Sequence, residues 1–597
     1  MVKKISWLLI SCLMVVSLVL ASCGGTTIEE KEEEVVIGEE EVEEVEEVEE
    51  VEEVEEVEVT GSEVPQYGDT LRLRKAGDPS YFDPYRGGAD QSIWMQTLCA
   101  NAWDYDPELV DFSIRGAPLQ WRQGLLAENW EIEPDWTSLT IHIRKGVYWQ
   151  DIPPVNGREF TAYDVEYTFH RILGLGSGFT SPGPRRVSGF NLIESVTATD
   201  KYTVIFKLSA GSMDVITTLL TPDAGTCIVA REAVEEWGNL DNWKHAIGTG
   251  PFILEDYVSG SNLHFVKNSN YWGYDERNPE NKLPYVDDVR VLIIPDSSTT
   301  VAALRTGKIE LVEGLSWEEE ASIRKTNPEL LRKSIPQAGD SIDFRCDIAP
   351  FTDEKVRQAL QMAIDVNKLA DVYYGGNANP TPCGLVQPEL VNTGQYVPFN
   401  EWPQEIKEGY IYNPEGARKL LAEAGYSDGF KTNMVYSSTK DPNIPQLLQG
   451  WFLDIGVDVD LKVMENAAFT SFISSMQYDQ MSYAAVGSVG TGSGLRTLSR
   501  RVTGHQSNST NNNDSYFDEL ASTLSITLDQ AERNRISSEA DMYSISQHWS
   551  LNLPRVYKYN IFQPWFKGYA GEFMRHDCGF YYARFWIDGP LKRALTD

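Results

Sequence analysis

The chain has 597 residues, 42% of them hydrophobic and 23% charged, with a formal net charge of −38. Acidity on this scale, with no clustered basic face, excludes a nucleic-acid partner held by phosphate contacts. The part of globular composition, from about Gln66 to the end, is too long for a single hydrophobic core, so at least two lobes are expected.

In chain order, Lys3 and Lys4 precede an uncharged apolar stretch, Ile5 to Leu20, and then Ala21, Ser22 and Cys23. That is the order of a secretory signal peptide. The stretch falls short of the ~20 apolar residues a membrane-spanning helix needs. Leu-Ala-Ser-Cys at 20–23 resembles the lipobox of bacterial lipoproteins, which implies a signal peptide at 1–22 and lipidation of Cys23. Each buried acyl methylene contributes ~0.8 kcal/mol, so several chains would hold the protein at the membrane surface. The bland alternative is the end of an ordinary signal peptide.

Between Glu29 and Glu58 stand 19 Glu and one Lys, close to half of the formal charge. The valines from Val42 to Val57 recur every third residue, which drifts around a helix of period 3.6, and glutamates at i, i+3 and i+4 repel one another. Residues 23–65 are therefore expected to be a lipidated cysteine followed by a disordered Glu/Val-rich tether, extended by its own charge. The rival reading is an acidic interaction tail.

The remainder alternates strand and helix signals. Leu139, Ile141 and Ile143 alternate with polar residues, as do Val289, Val291 and Ile293. A helix is expected from Thr352-Asp353-Glu354, burying Val356, Ala359, Leu360, Ala363 and Ile364. Asn413-Pro414-Glu415 starts another, with an N-cap, a proline in its first turn and Gly425 to end it. Lys431 to Ser437, Ile444 to Ile455 and Val457 to Val463 read as a strand-helix-strand unit with a parallel pairing. The whole is α/β. Once Cys12 leaves with the signal and Cys23 is lipidated, Cys99, Cys227, Cys346, Cys383 and Cys578 remain. Their odd number and wide spacing assign no disulfide. No CxxC or HExxH spacing occurs and the histidines are scattered, so no metal and no cofactor is expected.

Several stretches together carry a resemblance. Leu126-Ala127-Glu128-Asn129-Trp130, Lys145-Gly146-Val147-Tyr148-Trp149 and Phe160-Thr161-Ala162-Tyr163-Asp164-Val165 come first. Gly248-Thr249-Gly250-Pro251-Phe252, Tyr271-Trp272 and Leu304 to Glu310 follow, then VRQALQMAID within Phe351 to Asp365 and YNPEGARKLLAEAGY at Tyr412 to Tyr426. In this order they resemble the extracellular solute-binding proteins of the dipeptide, oligopeptide and nickel family, family 5. The resemblance implies a type II periplasmic-binding-protein fold, two lobes with a hinge cleft. Lobe 1 would be 66–308 plus 555–597, with an inserted subdomain near 105–240, and lobe 2 would be 309–554. It also implies a monomeric, membrane-anchored, extracytoplasmic lipoprotein. Such a protein captures a small solute by lobe closure and delivers it to ABC permease subunits.

Peptide binders of the family carry Trp-x-Ala-Asp-Tyr, whose aspartate pairs with the peptide's α-ammonium. Aligned on Tyr478-Asp479, Ala485 stands where the tryptophan would be and Ser488 where the aspartate would be. An oligopeptide is still the first expectation, with a carbohydrate or other non-peptide solute second. Ala485, Val486, Gly487 and Ser488 border the expected cleft, Gly487 to Gly494 lets a ligand approach the backbone, and Arg496 could grip a carboxylate. From lobe 1, Tyr81, Phe82 and Asp83, and with them Trp94, are candidate ligand contacts; core packing is the competing role for the aromatics. Trp130, Trp149, Tyr271 and Trp272 are expected to be structural. A surface hydrolase would need a nucleophile with its base or two facing carboxylates, and no GxSxG or HExxH occurs. The chain is not expected to be an enzyme, while a sensory or adhesive lipoprotein would share the fold.

Overall fold

The computed structural model describes residues 62–596 apart from 87–89, 107–118, 184–189, 338, 486–493, 506, 573 and 575–576. Strand β1 (Thr70–Lys75) alternates buried Leu71 and Leu73 with Arg72 and Arg74. Strands β2 (Ala127–Ile132), β3 (Ser138–Ile143), β4 (Ile193–Asp200) and β5 (Thr203–Leu208) form an antiparallel sheet in the order β2-β3-β5-β4. Leu139, Ile141 and Ile143 are buried, as their alternation predicts. Helix α1 (Ala162–Leu173) begins where the Thr161 N–H donates to the Asp164 carboxylate at 2.9 Å. Arg158 holds the same carboxylate at 2.6 Å, which accounts for the Thr-x-x-Asp spacing.

Strands β6 (Phe252–Val258), β7 (Asn262–Lys267) and β8 (Asp288–Ile293) complete a second sheet in the order β1-β8-β7-β6, with β1 and β8 parallel. Both sheets and the late helix Cys578–Arg584 contribute to one extended core. Two glycines of the Gly-Thr-Gly-Pro stretch press onto the backbone of Trp94. A Cβ at Gly248 would lie 1.8 Å from the Trp94 carbonyl oxygen, and the Gly250 N–H donates to that oxygen at 2.9 Å.

Helices α2 (Ser297–Arg305) and α3 (Trp317–Thr326) pack on an antiparallel sheet made of β9 (Leu311–Leu315), β10 (Leu331–Pro336) and β16 (Arg555–Phe562), in the order β9-β16-β10. A separate core is built on β11 (Asp340–Phe344), β12 (Phe430–Ser437), β13 (Val457–Met464), β14 (Met481–Ala485) and β15 (Ser550–Asn552), in the order β13-β12-β14-β11-β15. Helices α4 (Glu354–Met362), α5 (Pro414–Glu423) and α6 (Asn443–Asp454) cover one face of it. The expected N-caps are present: Asp353 accepts from the Lys355 N–H and Asn413 from the Gly416 N–H, both at 2.9 Å. The strand-helix-strand unit is present too, with β12 and β13 parallel. Val457 and Val459 are buried, but Val463 is 60% exposed because β13 is the edge strand of its sheet. Helices α7 (Ser515–Ile526) and α8 (Gln530–Ser546) pack together in a further cluster around Phe517 and Ile536.

The chain thus passes from the first core to the second between Pro336 and Asp340 and returns between Asn552 and Arg555. Both crossings are continuations of the β9-β16-β10 sheet. Among the described residues no disulfide joins the five cysteines, and burial pushes the thiols of Cys99, Cys346, Cys383 and Cys578 up to about 12. Among the described residues, no helix is long and apolar enough to cross a membrane, and no group of three His, Cys, Asp or Glu could hold a metal ion.

Candidate functional site

In an open α/β sheet the crevice beyond the carboxyl ends of parallel strands is where ligands bind. In the second core, β12, β13 and β14 end on one rim, beside the first residue of the antiparallel β11. That residue is Asp340, directly opposite Ala485 across the β11–β14 ladder. The rim is therefore next to a chain crossing and also next to the stretch singled out in the sequence.

Its side chains are polar and mutually engaged. The Tyr483 hydroxyl donates to Asp340 Oδ2 at 2.7 Å, and Lys440, just beyond β12, pairs with Asp340 Oδ1. The Lys440 ammonium lies 5.0 Å from the Tyr483 ring centroid. Burial first, then the Asp340 charge, raise the Tyr483 hydroxyl far above the ordinary tyrosine range, so it stays a proton donor. Lys440 and Asp340 are partly open to water, which leaves both able to exchange one partner for another.

Away from the rim, the face of β11 not covered by α4 to α6 is polar. Asp343 accepts from Ser550 Oγ at 2.7 Å, from Ser341 Oγ at 3.2 Å and from the Ser509 hydroxyl, and Arg501 Nη2 lies 3.8 Å from it. These groups, with Cys383, Tyr410 and Asn552, surround a cavity of about 60 Å³. That is room for a few waters rather than for a solute. Arg501 Nε is buried there with no hydrogen-bond partner among the described residues. Burial and the hydrogen bonds to Asp343 mark this as an internal network.

The sequence-predicted contacts from the first lobe are differently placed. Phe82 packs against Tyr257 at 5.3 Å and Trp94 at 6.2 Å, and Trp94, fully buried, stacks on Phe265. Asp83 is 1% exposed and receives Arg171 Nη2 at 2.6 Å and the Leu240 N–H at 3.2 Å. Their burial favours structural roles for all three over contact with a solute. Tyr81 is half-buried beneath the Arg86 guanidinium, 4.5 Å from its ring centroid. Of the predicted stretch in the second lobe, Ala485 is placed by its backbone at the end of β14, and Val486, Gly487 and Ser488 lie outside the described residues. Arg496 falls in the short helix Gly494–Leu498, with its side chain outside what is described. Cys23 and the tether also lie outside the described residues.

Residues 122–504 match the family described as bacterial extracellular solute-binding proteins, family 5 Middle. The chain belongs to family 5 of the bacterial extracellular solute-binding proteins. It is 29% identical over 350 residues to the glutathione-binding protein GsiB of Salmonella paratyphi A, covering 58% of this chain and 61% of that one. It is 29% identical over 357 residues to heme-binding protein A of Haemophilus influenzae, covering 55% and 59%. The chain thus spans less than two thirds of the length of the curated relatives it matches. Among solved structures it is similar to the periplasmic binding protein DppA of Helicobacter pylori in complex with the peptide STSA, with 23% identity, a TM-score of 0.65 and coverage of 88% and 99%. The fold is the type II two-lobe fold of periplasmic binding proteins.

In this family 5 protein the rim residues Asp340 and Lys440 were not singled out by sequence reasoning. Asp340 follows Gln-Ala-Gly and Lys440 sits in Ser-Ser-Thr-Lys-Asp, stretches that carry no motif. The usable signal was position: each flanks a strand whose register places it beside Ala485.

Proposed function

We propose that the chain is the membrane-anchored substrate-binding protein of an ABC importer, held by lipidated Cys23 and the 24–65 tether. It captures an extracellular solute, an oligopeptide first, by closing two lobes, and delivers it to permease subunits. Lobe 1 is assigned to 66–308 plus 555–597, with a subdomain at about 105–240, and lobe 2 to 309–554. The observation that carries the reading is the pair of cores joined at 336–340 and 552–555, with a charged rim at the first crossing. Hinge closure about a few crossing residues is an established way to enclose a ligand.

The peptide assignment is supported by relatives that bind glutathione and a tetrapeptide. A non-peptide solute is the second reading, favoured by Ser488 at the place of the ammonium-pairing acid and by the heme-binding relative at equal identity. The test is native mass spectrometry of the full chain in mild detergent, incubated with a pool of unmodified tri- to pentapeptides or with a pool of neutral oligosaccharides. A mass gain with peptides supports the first reading and a gain with saccharides alone the second. No gain with either, from a protein that melts cooperatively, sinks both.

A further inference from the structure

Two loops of the first core turn aromatic rings outward from framework motifs. After β3, Gly146 takes a φ of 72°, and the chain then alternates: Val147 and Trp149 are buried, while Tyr148 between them is 49% exposed. Between β7 and β8, Tyr271 is buried and Tyr274 is 53% exposed. Each exposed tyrosine is fixed through its backbone by a bridge, Tyr148 with Glu159 and Tyr274 with Lys282. The two loops are thus set in place before any ligand arrives, which keeps the ordering cost of binding low.

Tyr148 and Tyr274 line one cavity of about 720 Å³. That lies within the ~300–1,000 Å³ of small-molecule sites, whereas the space beside Asp343 holds only waters. Its lining comes from residues 128–282 and shares no residue with the crevice rim at Asp340. Arg144, Lys145 and Lys282 line it, and none of them has an ion pair among the described residues. The contrast with other cations of the same core is direct: Arg158 and Arg171 each hold a carboxylate at 2.6 Å. Arg144 is nevertheless fixed, its Nε donating to the Leu125 carbonyl at 2.9 Å and its guanidinium lying 4.6 Å from the Trp272 ring centroid. Two exposed acids, Glu128 and Asp151, line the same recess without an ion pair or hydrogen bond among the described residues. Glu128 stands where the register of β2 slips against β3, between Ala127 and Asn129, and a bulge of this kind re-aims a side chain. Three cations against two acids leave the recess net positive in a chain of formal charge −38.

Unpaired cations, unpaired acids and exposed rings around one recess match a ligand that carries negative charge, hydroxyl donors and apolar faces together. A saccharide bearing carboxylates has all three. Its C–H faces pack on Tyr148 and Tyr274, its hydroxyls donate to Glu128 and Asp151, and its carboxylates meet Lys145, Lys282 and Arg144. A neutral saccharide would leave the cations unmatched. We propose that this recess is a second binding site, which holds an acidic saccharide chain while the crevice takes the transported solute. The site goes beyond transport, because it would tie the protein to an acidic glycan.

The test uses the full chain in mild detergent and isothermal titration calorimetry, with tetragalacturonate as the acidic probe and maltotetraose as a neutral probe of equal length. Tetragalacturonate should bind about tenfold or more tighter than maltotetraose, and added salt should weaken it. The double variant Lys145→Gln, Lys282→Gln keeps side-chain length and removes two charges. It should lose about tenfold for tetragalacturonate and show a smaller salt effect. The double variant Tyr148→Ala, Tyr274→Ala should abolish tetragalacturonate binding. All four side chains are exposed, so thermal melts matching the parent's separate these losses from unfolding. Tetragalacturonate that fails to bind, that binds both variants as tightly as the parent, or that is matched by maltotetraose overturns the assignment. So does a pool of tripeptides that binds the parent and is lost in the double tyrosine variant, which would make the recess a peptide site.

Discussion

Arg533 Nη2 donates to Asp214 Oδ2 at 2.7 Å, joining helix α8 to the start of a helix that packs in the other core. Arg533 is itself held by the carbonyls of Leu524 at 2.6 Å and Thr527 at 2.8 Å, so its guanidinium is positioned whether or not Asp214 is present. Val215 and Ile216 belong to the first core, whereas α8 packs with α7 beside the second. The ion pair therefore bridges elements of the two cores.

Asp214→Asn should favour opening. If closure and binding are coupled, weakening the closed state lowers apparent affinity by the fraction of binding-competent molecules lost. We expect about tenfold weaker solute binding, an increased radius of gyration by small-angle scattering in the absence of solute, and little change in melting temperature. An unchanged radius of gyration together with unchanged affinity would show that the pair has no part in closure.

Asp83 is expected to govern stability. It lies in the core with Arg171 bound through both oxygens, at 2.6 and 3.1 Å. Removing one partner of a buried pair leaves an uncompensated charge and costs ~3–5 kcal/mol. Asp83→Ala should lower the urea midpoint accordingly while leaving the affinity of the remaining folded protein unaltered. A large loss of affinity at unchanged stability would return Asp83 to the binding site.

The Gly-Thr-Gly-Pro stretch predicts a backbone effect. Gly248→Ala places a methyl group against the Trp94 carbonyl, a backbone atom that cannot turn aside. Overpacking of this kind costs ~1–3 kcal/mol. Gly77→Ala, with nothing within 4 Å of the new methyl, is the control and should be neutral. Chemical denaturation of both variants checks the contrast, and equal midpoints would refute it.

These particulars show what could be read from the sequence. The strand-helix-strand unit was legible because Val457 and Val459 alternate with aspartates, and the preceding helix α5 because Asn413 caps it, signals carried within a few residues. Asp83 read as a candidate ligand contact because its partner Arg171 is 88 residues away in sequence. Glu128 was illegible for a different reason. In Leu-Ala-Glu-Asn-Trp the acid looks like an ordinary part of a framework motif, and only the slip against β3 and the recess it lines set it apart. Phe82 and Trp94 were ambiguous because an aromatic in a core and an aromatic in a cleft are the same residue type; both are buried, which favours packing.

Asp541 on α8 should give the fold a pH dependence of its own. Desolvation raises its carboxyl to about 7, only partly offset by the N–H groups of Leu385 at 2.6 Å and Val386 at 3.3 Å. Tyr410 and Cys383, which feel its charge, remain neutral because burial raises both of them. The folded pKa is above the unfolded one, near 4. Between those values the native state holds a proton that the unfolded chain has lost, so stability falls as pH rises. The contribution is fully present below pH ~4 and gone above ~7, an effect on the order of a few kcal/mol for a group this deeply buried. Asp541→Asn keeps the oxygen that accepts from Leu385 and Val386 and removes the titration. The difference in urea midpoint between variant and parent should therefore grow in the variant's favour from pH 5 to pH 8. Glu310 and Glu313 titrate in the same window, but they are present in both proteins and drop out of that difference. A difference that does not change with pH would mean that Asp541 is ionised in the folded protein throughout, and that the two N–H donors outweigh its burial.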